Sequence, residues 1–335
     1  MRVLVTGGTG FTGAALVRRL LHDGHNVTAF DTKEGLKIEE LRALGADVRI
    51  ASVTDRSSVF GAMEDVDVVH HVAAAFREVA KPDEFFHEVN VTGTRLVLEA
   101  AAQHGVRKFV HCSTCGVHGD VRDPPANENA PIAPSDYYQH TKWLGELEVR
   151  RFAERGLNTV VLRPCAIYGP GDPGRFRLLF QRVASGRFPM FGPGTVRYHT
   201  VFIDNFMDAL ILAMEEDDSS GGTYLVADEE CLSIEQLVKE VARAINVSVR
   251  IFHLPLTPLV IAGHVMERSC KPFGVSPPIF SRRVDWYRHN RAFNVELAKQ
   301  ELGYKPRVSL REGLLRTASW YRENGFLGGG SKQSQ

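Results

Sequence analysis

The sequence predicts an α/β protein with a doubly wound parallel sheet and a smaller, mostly helical C-terminal part. Three observations support this prediction. Short valine-rich stretches alternate with helical segments through the first half of the chain. The first stretch runs directly into a glycine-rich turn, and after residue 163 the alternation gives way to loops and helices. Strands that alternate with helices build a parallel sheet that is covered on both faces.

Each strand is predicted from a short apolar stretch bounded by polar or glycine-containing turns. In chain order, the strands are expected at 3–6, 26–30, 47–51, 66–71, 108–112, 159–162 and 223–227. Helices are predicted where apolar residues recur at helical spacing. They are expected at 14–21, 85–104, 138–154 and 204–216.

The glycine-rich turn after the first strand predicts a dinucleotide site. It reads TGGTGFTG, and either Gly7 or Gly8 can serve as the first glycine of the motif. Glycines let the backbone approach a ligand closely, and the positive end of the following helix can hold a pyrophosphate. The candidate contacts of this turn are Gly7, Gly10, Phe11, Thr12 and Gly13.

The end of the second strand indicates which dinucleotide binds. Asp31 lies about 20 residues beyond the turn, where a carboxylate can accept hydrogen bonds from the adenosine ribose. A 2′-phosphate would be repelled there, and the next residue is Thr32 rather than arginine. NAD is therefore predicted, with a turn-capping role for Asp31 as the alternative. Asp55 is a further candidate for the adenine, and a helix N-cap is its alternative role.

Tyr138 and Lys142 are four residues apart in a predicted helix, so their side chains share one face. A phenol has a pKa of about 10, and a nearby ammonium lowers it by stabilising the phenolate. Tyr138 is therefore the candidate base that takes a substrate hydroxyl proton. Ser113 and Thr114 follow a predicted strand, where a hydroxyl can face the ligand crevice or simply satisfy the strand-end backbone.

Composition excludes several function classes. The 335 residues carry 40 basic and 40 acidic side chains, which gives no electrostatic case for nucleic acid or an anionic membrane. No apolar stretch is long enough to span a bilayer, and no signal peptide is recognised. Five cysteines without a paired framework indicate a cytoplasmic protein. The Cys112-x-x-Cys115 spacing lacks a second pair, so no metal is predicted.

Together these residues resemble the extended short-chain dehydrogenase/reductase family, in its NAD-dependent epimerase/dehydratase branch, over residues 2–327. Further matching segments are 71–74, 90–94, 162–164, 169–171, 201–209 and 302–306. The resemblance implies a Rossmann fold and makes Gly7, Gly10 and Gly13 the informative glycines. It implies that Thr114 is the catalytic hydroxyl, Tyr138 the acid and base, and Lys142 its tuner and a ribose contact. The other implied cofactor-site residues are Ala73, Ala74, Asn90, Ser113 and Pro164.

The resemblance also implies an organisation. Residues 1–165 plus about 200–228 form the NAD-binding domain, and 166–199 plus 229–327 form the substrate domain. The tail 328–335 is expected to be disordered. Relatives often dimerise through the helices at 85–104 and 138–154, so a homodimer is expected, with simple packing on the sheet as the alternative.

Two positions bear on the reaction. Cys115 and Gly116 stand where dehydratases of this family carry an Asp-Glu pair, so 4,6-dehydration is not expected. Arg197 matches the position of a diphosphate-binding arginine in sugar-nucleotide epimerases, although Ala166 replaces a diphosphate-binding asparagine. The leading hypothesis is a nucleotide-sugar 4-epimerase that works through a keto intermediate.

The alternative hypothesis is a 3β-hydroxysteroid-type dehydrogenase. The proline-rich segment 254–258, the apolar helix after it and Pro277-Pro278 resemble that branch. Region 254–280 is a candidate lid over a sterol or an acyl chain, or a candidate membrane contact. A buried core helix is the preferred interpretation of its apolar part. A third hypothesis, a non-enzymatic NAD sensor, conflicts with the intact Thr114, Tyr138 and Lys142 set.

Overall fold

The structure, a computed structural model, describes residues 1–32, 38–76, 81–216, 219–270 and 284–327. Seven strands form a parallel sheet. They are β1 (Arg2–Thr6), β2 (Asn26–Asp31), β3 (Asp47–Ile50), β4 (Val68–His71), β5 (Lys108–Cys112), β6 (Thr159–Pro164) and β10 (Thr223–Val226). The predicted tail at 328–335 and Pro277-Pro278 lie outside the described residues.

The strand order of the large sheet is β10-β6-β5-β4-β1-β2-β3. The order reverses beside β1, which pairs with β2 on one edge and with β4 on the other. Ligands of doubly wound sheets bind outside the carboxyl ends of the strands at this reversal. The predicted fold class is confirmed, and the predicted strand limits agree within two residues.

Five further strands of the described residues build two small sheets. They are β7 (Ala166–Tyr168), β8 (Arg187–Phe191), β9 (Arg197–Phe202), β11 (Cys231–Ser233) and β12 (Arg250–Leu254). The three-stranded sheet has the order β11-β9-β7, and β12 pairs with β8. Because β7 follows β6 after a single residue, the three-stranded sheet starts at the rim of the large sheet.

Helices cover both faces of the large sheet. They are α1 (Phe11–His22), α2 (Ile38–Ala43), α3 (Arg56–Ala62), α4 (Asp83–His87), α5 (Thr94–Gln103), α6 (Tyr137–Ala153), α7 (Arg175–Ala184), α8 (Ile203–Glu215), α9 (Ile234–Ile245), α10 (Leu256–Cys270), α11 (Glu296–Glu301) and α12 (Leu310–Glu323). α1 packs against α8, and α5 packs between α3 and α6. Of the helices that the described residues form, none is long and apolar enough to cross a membrane.

The helix predicted at 85–104 differs from a regular α-helix. A π-helical segment, Glu88–Gly93, separates α4 from α5. Asn90 lies in this segment, and its side chain is fully buried. The wider turn lets a polar side chain reach inward from a position that apolar periodicity alone would not assign to the core.

The apolar helix α10 is not a buried core helix, which corrects the preferred interpretation of this region. Ile261 and Val265 are 58% and 59% exposed, and Met266 is 37% exposed. Its apolar residues are distributed around the helix, so no single face can bury all of them.

Two adjacent histidines in β4 have different surroundings. The ring of His71 is hydrogen-bonded on both nitrogens, 2.8 Å from Thr6 Oγ1 and 2.9 Å from Thr94 Oγ1. His70 is equally buried, but neither ring nitrogen has a hydrogen-bond partner among the described residues. Burial lowers the pKa of His70 from 6.5 to about 3. The ring is therefore neutral in the folded protein.

Replacing His70 with leucine is expected to reduce the acid sensitivity of the fold. Below pH 6.5 the unfolded chain protonates this histidine while the folded chain does not, so stability falls as the pH drops from 6.5 towards 3. At pH 5 this loss is about 2 kcal/mol. Urea unfolding at pH 7.5 and at pH 5 measures it, with the exposed His22→Gln as the control. If the His70→Leu variant lost as much stability between pH 7.5 and pH 5 as the wild type, His70 would not be the cause of the acid sensitivity.

Candidate active site

The carboxyl ends of β1, β2, β4, β5 and β6 open into one cleft of ≈ 870 Å³. Most of the residues that the sequence predicts for the site line this cleft. They are Gly7, Gly10, Phe11, Thr12, Gly13, Asp31, Ala73, Ala74, Ser113, Thr114, Tyr138, Lys142, Pro164 and Ala166. Asp55, Asn90 and Arg197 are not among its described lining residues.

The glycines of the turn serve different purposes. Gly7 has a φ of +69°, and a Cβ on Gly13 would overlap the Gly7 carbonyl oxygen, so the fold itself requires both glycines. A Cβ on Gly10 would meet only that same oxygen, at 3.4 Å. Gly10 is also the N-cap of α1 and makes no side-chain cap, so the first-turn N–H groups remain for a ligand. This cradle fits the pyrophosphate of a dinucleotide.

Replacing Gly10 with alanine is expected to weaken NAD binding by about 10–100-fold while the protein still folds. The added methyl group occupies space beside the pyrophosphate cradle and meets little else in the protein. Fluorescence titration with NADH measures the Kd. Gly61→Ala is the matched control, because a Cβ there meets nothing within 4 Å. Equal Kd values for the Gly10→Ala and wild-type proteins would show that the pyrophosphate of NAD does not bind at this turn.

Asp31 faces the cleft and also supports the turn. Its Oδ2 accepts hydrogen bonds from the Thr9 backbone N–H at 3.1 Å and from Thr9 Oγ1 at 2.8 Å. Its Oδ1 accepts a 2.8 Å bond from the Thr32 N–H. The turn-capping role weighed from the sequence is therefore present, and the ribose contact of Asp31 stays a prediction. Asp55, by contrast, caps α3 through Ser57 and Ser58, and the Ser58 hydroxyl bond is the main cause that lowers its pKa.

Helix α6 brings Tyr138 and Lys142 to the same side of the cleft. Asp136 starts the helix by accepting a 2.8 Å bond from the Gln139 N–H. The Tyr138 ring packs against Phe76, with ring centroids 4.9 Å apart. Lys142 is 1% exposed, and its Nζ lies 3.5 Å from His111 Nε2. Burial lowers the pKa of Lys142, and the nearby Cys112 and Glu146 oppose this effect.

Two neighbouring hydroxyls at the end of β5 have separate partners. Ser113 Oγ donates to the Glu146 carboxylate, which also forms a bidentate ion pair with Arg163. Both charged side chains are 1% exposed. Thr114 Oγ1 accepts a 3.1 Å bond from the Gly116 N–H, so its hydroxyl proton remains for a ligand. Thr114 is thus the hydroxyl that the cleft can use.

Asn90 connects the segment at Ala75 with α6, the helix that carries Tyr138 and Lys142. Its Oδ1 accepts a 2.8 Å bond from the Ala75 N–H, and its Nδ2 donates to Thr141 Oγ1 at 3.0 Å. Thr141 Oγ1 donates in turn to the Tyr138 carbonyl at 2.9 Å. Asn90 therefore supports the site from behind, without lining the cleft.

Gly116 lies too close to α6 to be replaced by a larger residue without movement. A Cβ at this position would lie 3.1 Å from Gln139 Cγ and 3.2 Å from Thr114 Oγ1. Gln139 is buried and lines the cleft. A glutamate of the dehydratase type would require the Gln139 side chain to shift by a few tenths of an ångström.

The arginines of the cleft differ from the sequence prediction. Arg197 lies at the exposed start of β9, with its backbone N–H bound to Asn290 Oδ1. Arg175 and Arg291 line the cleft instead, as do Cys115 and Cys165. No motif marks Arg175 or Arg291 in the sequence. Glu146 could have been predicted from the sequence, because it continues the spacing of four residues from Tyr138 and Lys142 along one helix face.

The fold and this site define an NAD-dependent enzyme of the oxidoreductase or isomerase type. The chain belongs to the NAD-dependent epimerase/dehydratase family, whose sequence profile matches residues 3–227. The family predicted from the sequence is therefore confirmed, and NAD is its cofactor.

Relatives of different specificity resemble the chain to a similar extent. It is 31% identical to the 2-alkyl-3-oxoalkanoate reductase of Stenotrophomonas maltophilia, over 94% of this chain and 98% of the relative. It is 30% identical to sterol demethylase protein B of Methylococcus capsulatus, over 98% of this chain and 100% of that relative. The crystal structure of the UDP-glucose 4-epimerase of Thermotoga maritima with UDP-glucose superposes with a TM-score of 0.81 and 25% identity, over 97% of this chain and 99% of that one.

Proposed function

We propose that the protein catalyses the NAD-dependent, reversible oxidation of a secondary alcohol as a net dehydrogenase or ketoreductase. One observation carries this proposal: Thr114, Tyr138 and Lys142 line the same cleft as the glycine cradle. A proton-transfer group and a dinucleotide are then close enough to act on a single carbon.

In this proposal Thr114 donates its hydroxyl hydrogen bond to the substrate oxygen and holds it near Tyr138. The Tyr138 phenolate takes the hydroxyl proton, and the buried Lys142 ammonium stabilises that phenolate. Bound NAD supplies the hydride acceptor. The Phe76 ring packs against Tyr138 and limits its rotation. Asn90 and Thr141 hold the start of α6 in place.

We place the dehydrogenase before the epimerase, which reverses the order of the two hypotheses drawn from the sequence. The epimerase hypothesis relied on Arg197, which is exposed and outside the described cleft lining. The cleft wall also includes the apolar side chains of Phe85, Ile167 and Phe176, which suit an alkyl chain or a sterol ring better than a hydrated sugar. The names of the reductase and sterol relatives are in line with such a substrate.

A nucleotide-sugar 4-epimerase is the second candidate. The likeness to the UDP-glucose 4-epimerase supports it, and Arg175 and Arg291 supply cations that a diphosphate can use. In this alternative the keto intermediate turns within the cleft, and the hydride returns to its other face.

Net cofactor reduction separates the two candidates. We would incubate the protein and NAD with a 3β-hydroxysteroid, with 3-hydroxydecanoate or with UDP-glucose, and follow NADH absorbance. Accumulation of NADH with either hydrophobic alcohol supports the dehydrogenase. Conversion of UDP-glucose into UDP-galactose without net NADH rejects it in favour of the epimerase. In that case Arg291→Gln should raise the KM for UDP-glucose, because Arg291 is among the described lining residues of the cleft and Arg197 is not.

We also propose the organisation that the sequence suggests. Residues 1–165 with about 200–228 would bind NAD, and 166–199 with 229–327 would bind the substrate. A homodimer in the cytoplasm is the proposed state, and the free form of all five cysteines is in line with a reducing compartment. Light scattering of the purified protein measures the oligomeric state.

A further inference from the structure

Arg291 is a buried cation whose charge is not balanced by an ion pair. It is 8% exposed and lines the cleft. Its backbone is fixed by two 2.8 Å hydrogen bonds, from its N–H to the Arg197 carbonyl and from the His199 N–H to its own carbonyl. Within the described ranges, its guanidinium has no side-chain hydrogen bond or ion pair. Burying a charge without a partner costs free energy, so a ligand that supplies the partner is expected.

Arg175 is a second cation in the same cleft. It is the first residue of α7, and its Nη1 donates a hydrogen bond to the Tyr198 hydroxyl. No carboxylate of the described residues forms an ion pair with it. Tyr198 is 2% exposed, and its backbone forms an isolated bridge with Arg291. Tyr198 therefore holds one arginine through its hydroxyl and the other through its backbone, which brings the two cations to the same wall of the cleft.

The two arginines influence a residue beside Thr114, the candidate catalytic hydroxyl. Cys115 follows Thr114 directly and lines the cleft. A hydrogen bond with Cys165 is the main cause that lowers the pKa of the Cys115 thiol, and the charges of Arg291 and Arg175 lower it further. The two arginines thus act on the residue next to Thr114.

The acidic residues near the two arginines form no ion pair with them among the described residues, although Tyr198 mainly, and then the charges of Asp172 and Asp136, raise the pKa of Arg175. The Asp172 carboxylate accepts hydrogen bonds from the Gly174 N–H at 2.9 Å and the Phe176 N–H at 3.0 Å, so it caps the start of α7. Asp31 lies at the cofactor turn, where it bonds Thr9 and Thr32. Neither carboxylate pairs with a cleft arginine.

We propose that Arg175 and Arg291 form a binding site for an anionic group of the substrate, a carboxylate or a phosphate ester, so that the alcohol entering this cleft is an acid. This inference rests on the proposed function and deepens it. Two guanidinium groups can bind such a group through charge-assisted hydrogen bonds. The pair would then select acidic alcohols over neutral ones of the same shape.

Binding measured without turnover tests the site. We would use the NAD complex of the Tyr138→Phe variant and measure the Kd by calorimetry for 3-hydroxydecanoate, its methyl ester and UDP-glucose. The site predicts that at least one anion binds, and that Arg291→Gln or Arg175→Gln weakens its binding by about 10–100-fold. Comparing the Kd of 3-hydroxydecanoate with that of UDP-glucose shows whether the site binds a carboxylate or a phosphate ester. Methyl ester binding should stay unchanged.

Matched variants control this experiment. Arg182→Gln removes an exposed arginine of the same helix, α7, and should change no Kd. Arg291→Lys keeps the charge and should recover much of the affinity. The melting temperature of Arg291→Gln should not fall, because the variant removes an unpaired charge. The proposed site is wrong if the arginine variants leave the Kd values of 3-hydroxydecanoate and UDP-glucose unchanged. It is also wrong if they weaken binding of the methyl ester as much as binding of the acid. Failure of the proposed function would appear separately, as an unchanged kcat in Tyr138→Phe.

Discussion

Replacing Tyr138 with phenylalanine is expected to lower kcat/KM by about 10²–10⁴-fold, because the variant loses the only proton-transfer atom of that side chain. The ring still packs against Phe76, so the fold should be kept. Steady-state assays with the best substrate from the NADH screen measure the loss. NADH titration should give the wild-type Kd within about threefold, which shows that the cleft remains formed.

Tyr137→Phe is the matched control for this prediction. Tyr137 is the preceding residue of α6, is 37% exposed and packs against His140 rather than lining the cleft. Its variant should keep the wild-type kcat. A Tyr138→Phe protein with wild-type turnover would remove Tyr138 from the reaction and favour the non-enzymatic NAD sensor.

Replacing Glu146 with methionine is expected to reduce the free energy of unfolding by about 3–5 kcal/mol. The change leaves the Arg163 guanidinium without its carboxylate at a site where both side chains are 1% exposed. It also removes the acceptor of the Ser113 hydroxyl, next to Thr114. Urea unfolding followed by circular dichroism measures the loss.

The double variant Glu146→Met/Arg163→Met tests the physical cause. Removing both charges also removes the desolvation cost of each, so the double variant should recover most of the stability lost in the single variant. Glu39→Met, in the exposed Arg42–Glu39 pair, should cost at most about 1 kcal/mol. A double variant as unstable as the single one would show that packing, not charge pairing, controls this region.

Much of the fold was predictable because its signals are local. Valine-rich strands, the glycine turn and the Tyr138–Lys142 spacing each lie within a short segment, and the structure contains the corresponding elements. The π-helical turn at Asn90 and the exposure of α10 were not predictable. Both depend on which neighbouring elements pack against a segment, and apolar periodicity does not report this.

The sequence alone determined the α/β class, the family and NAD as the cofactor, and it supplied the candidate residues for proton transfer. Those properties follow from backbone requirements and side-chain spacings that nearby residues encode. The tertiary structure alone decided which arginines enter the cleft: Arg175 and Arg291 line it, and Arg197 does not. Arg175 and Arg291 are 116 positions apart, and Tyr198 on β9 brings them together. Such a juxtaposition depends on chain packing, so no local pattern could reveal it.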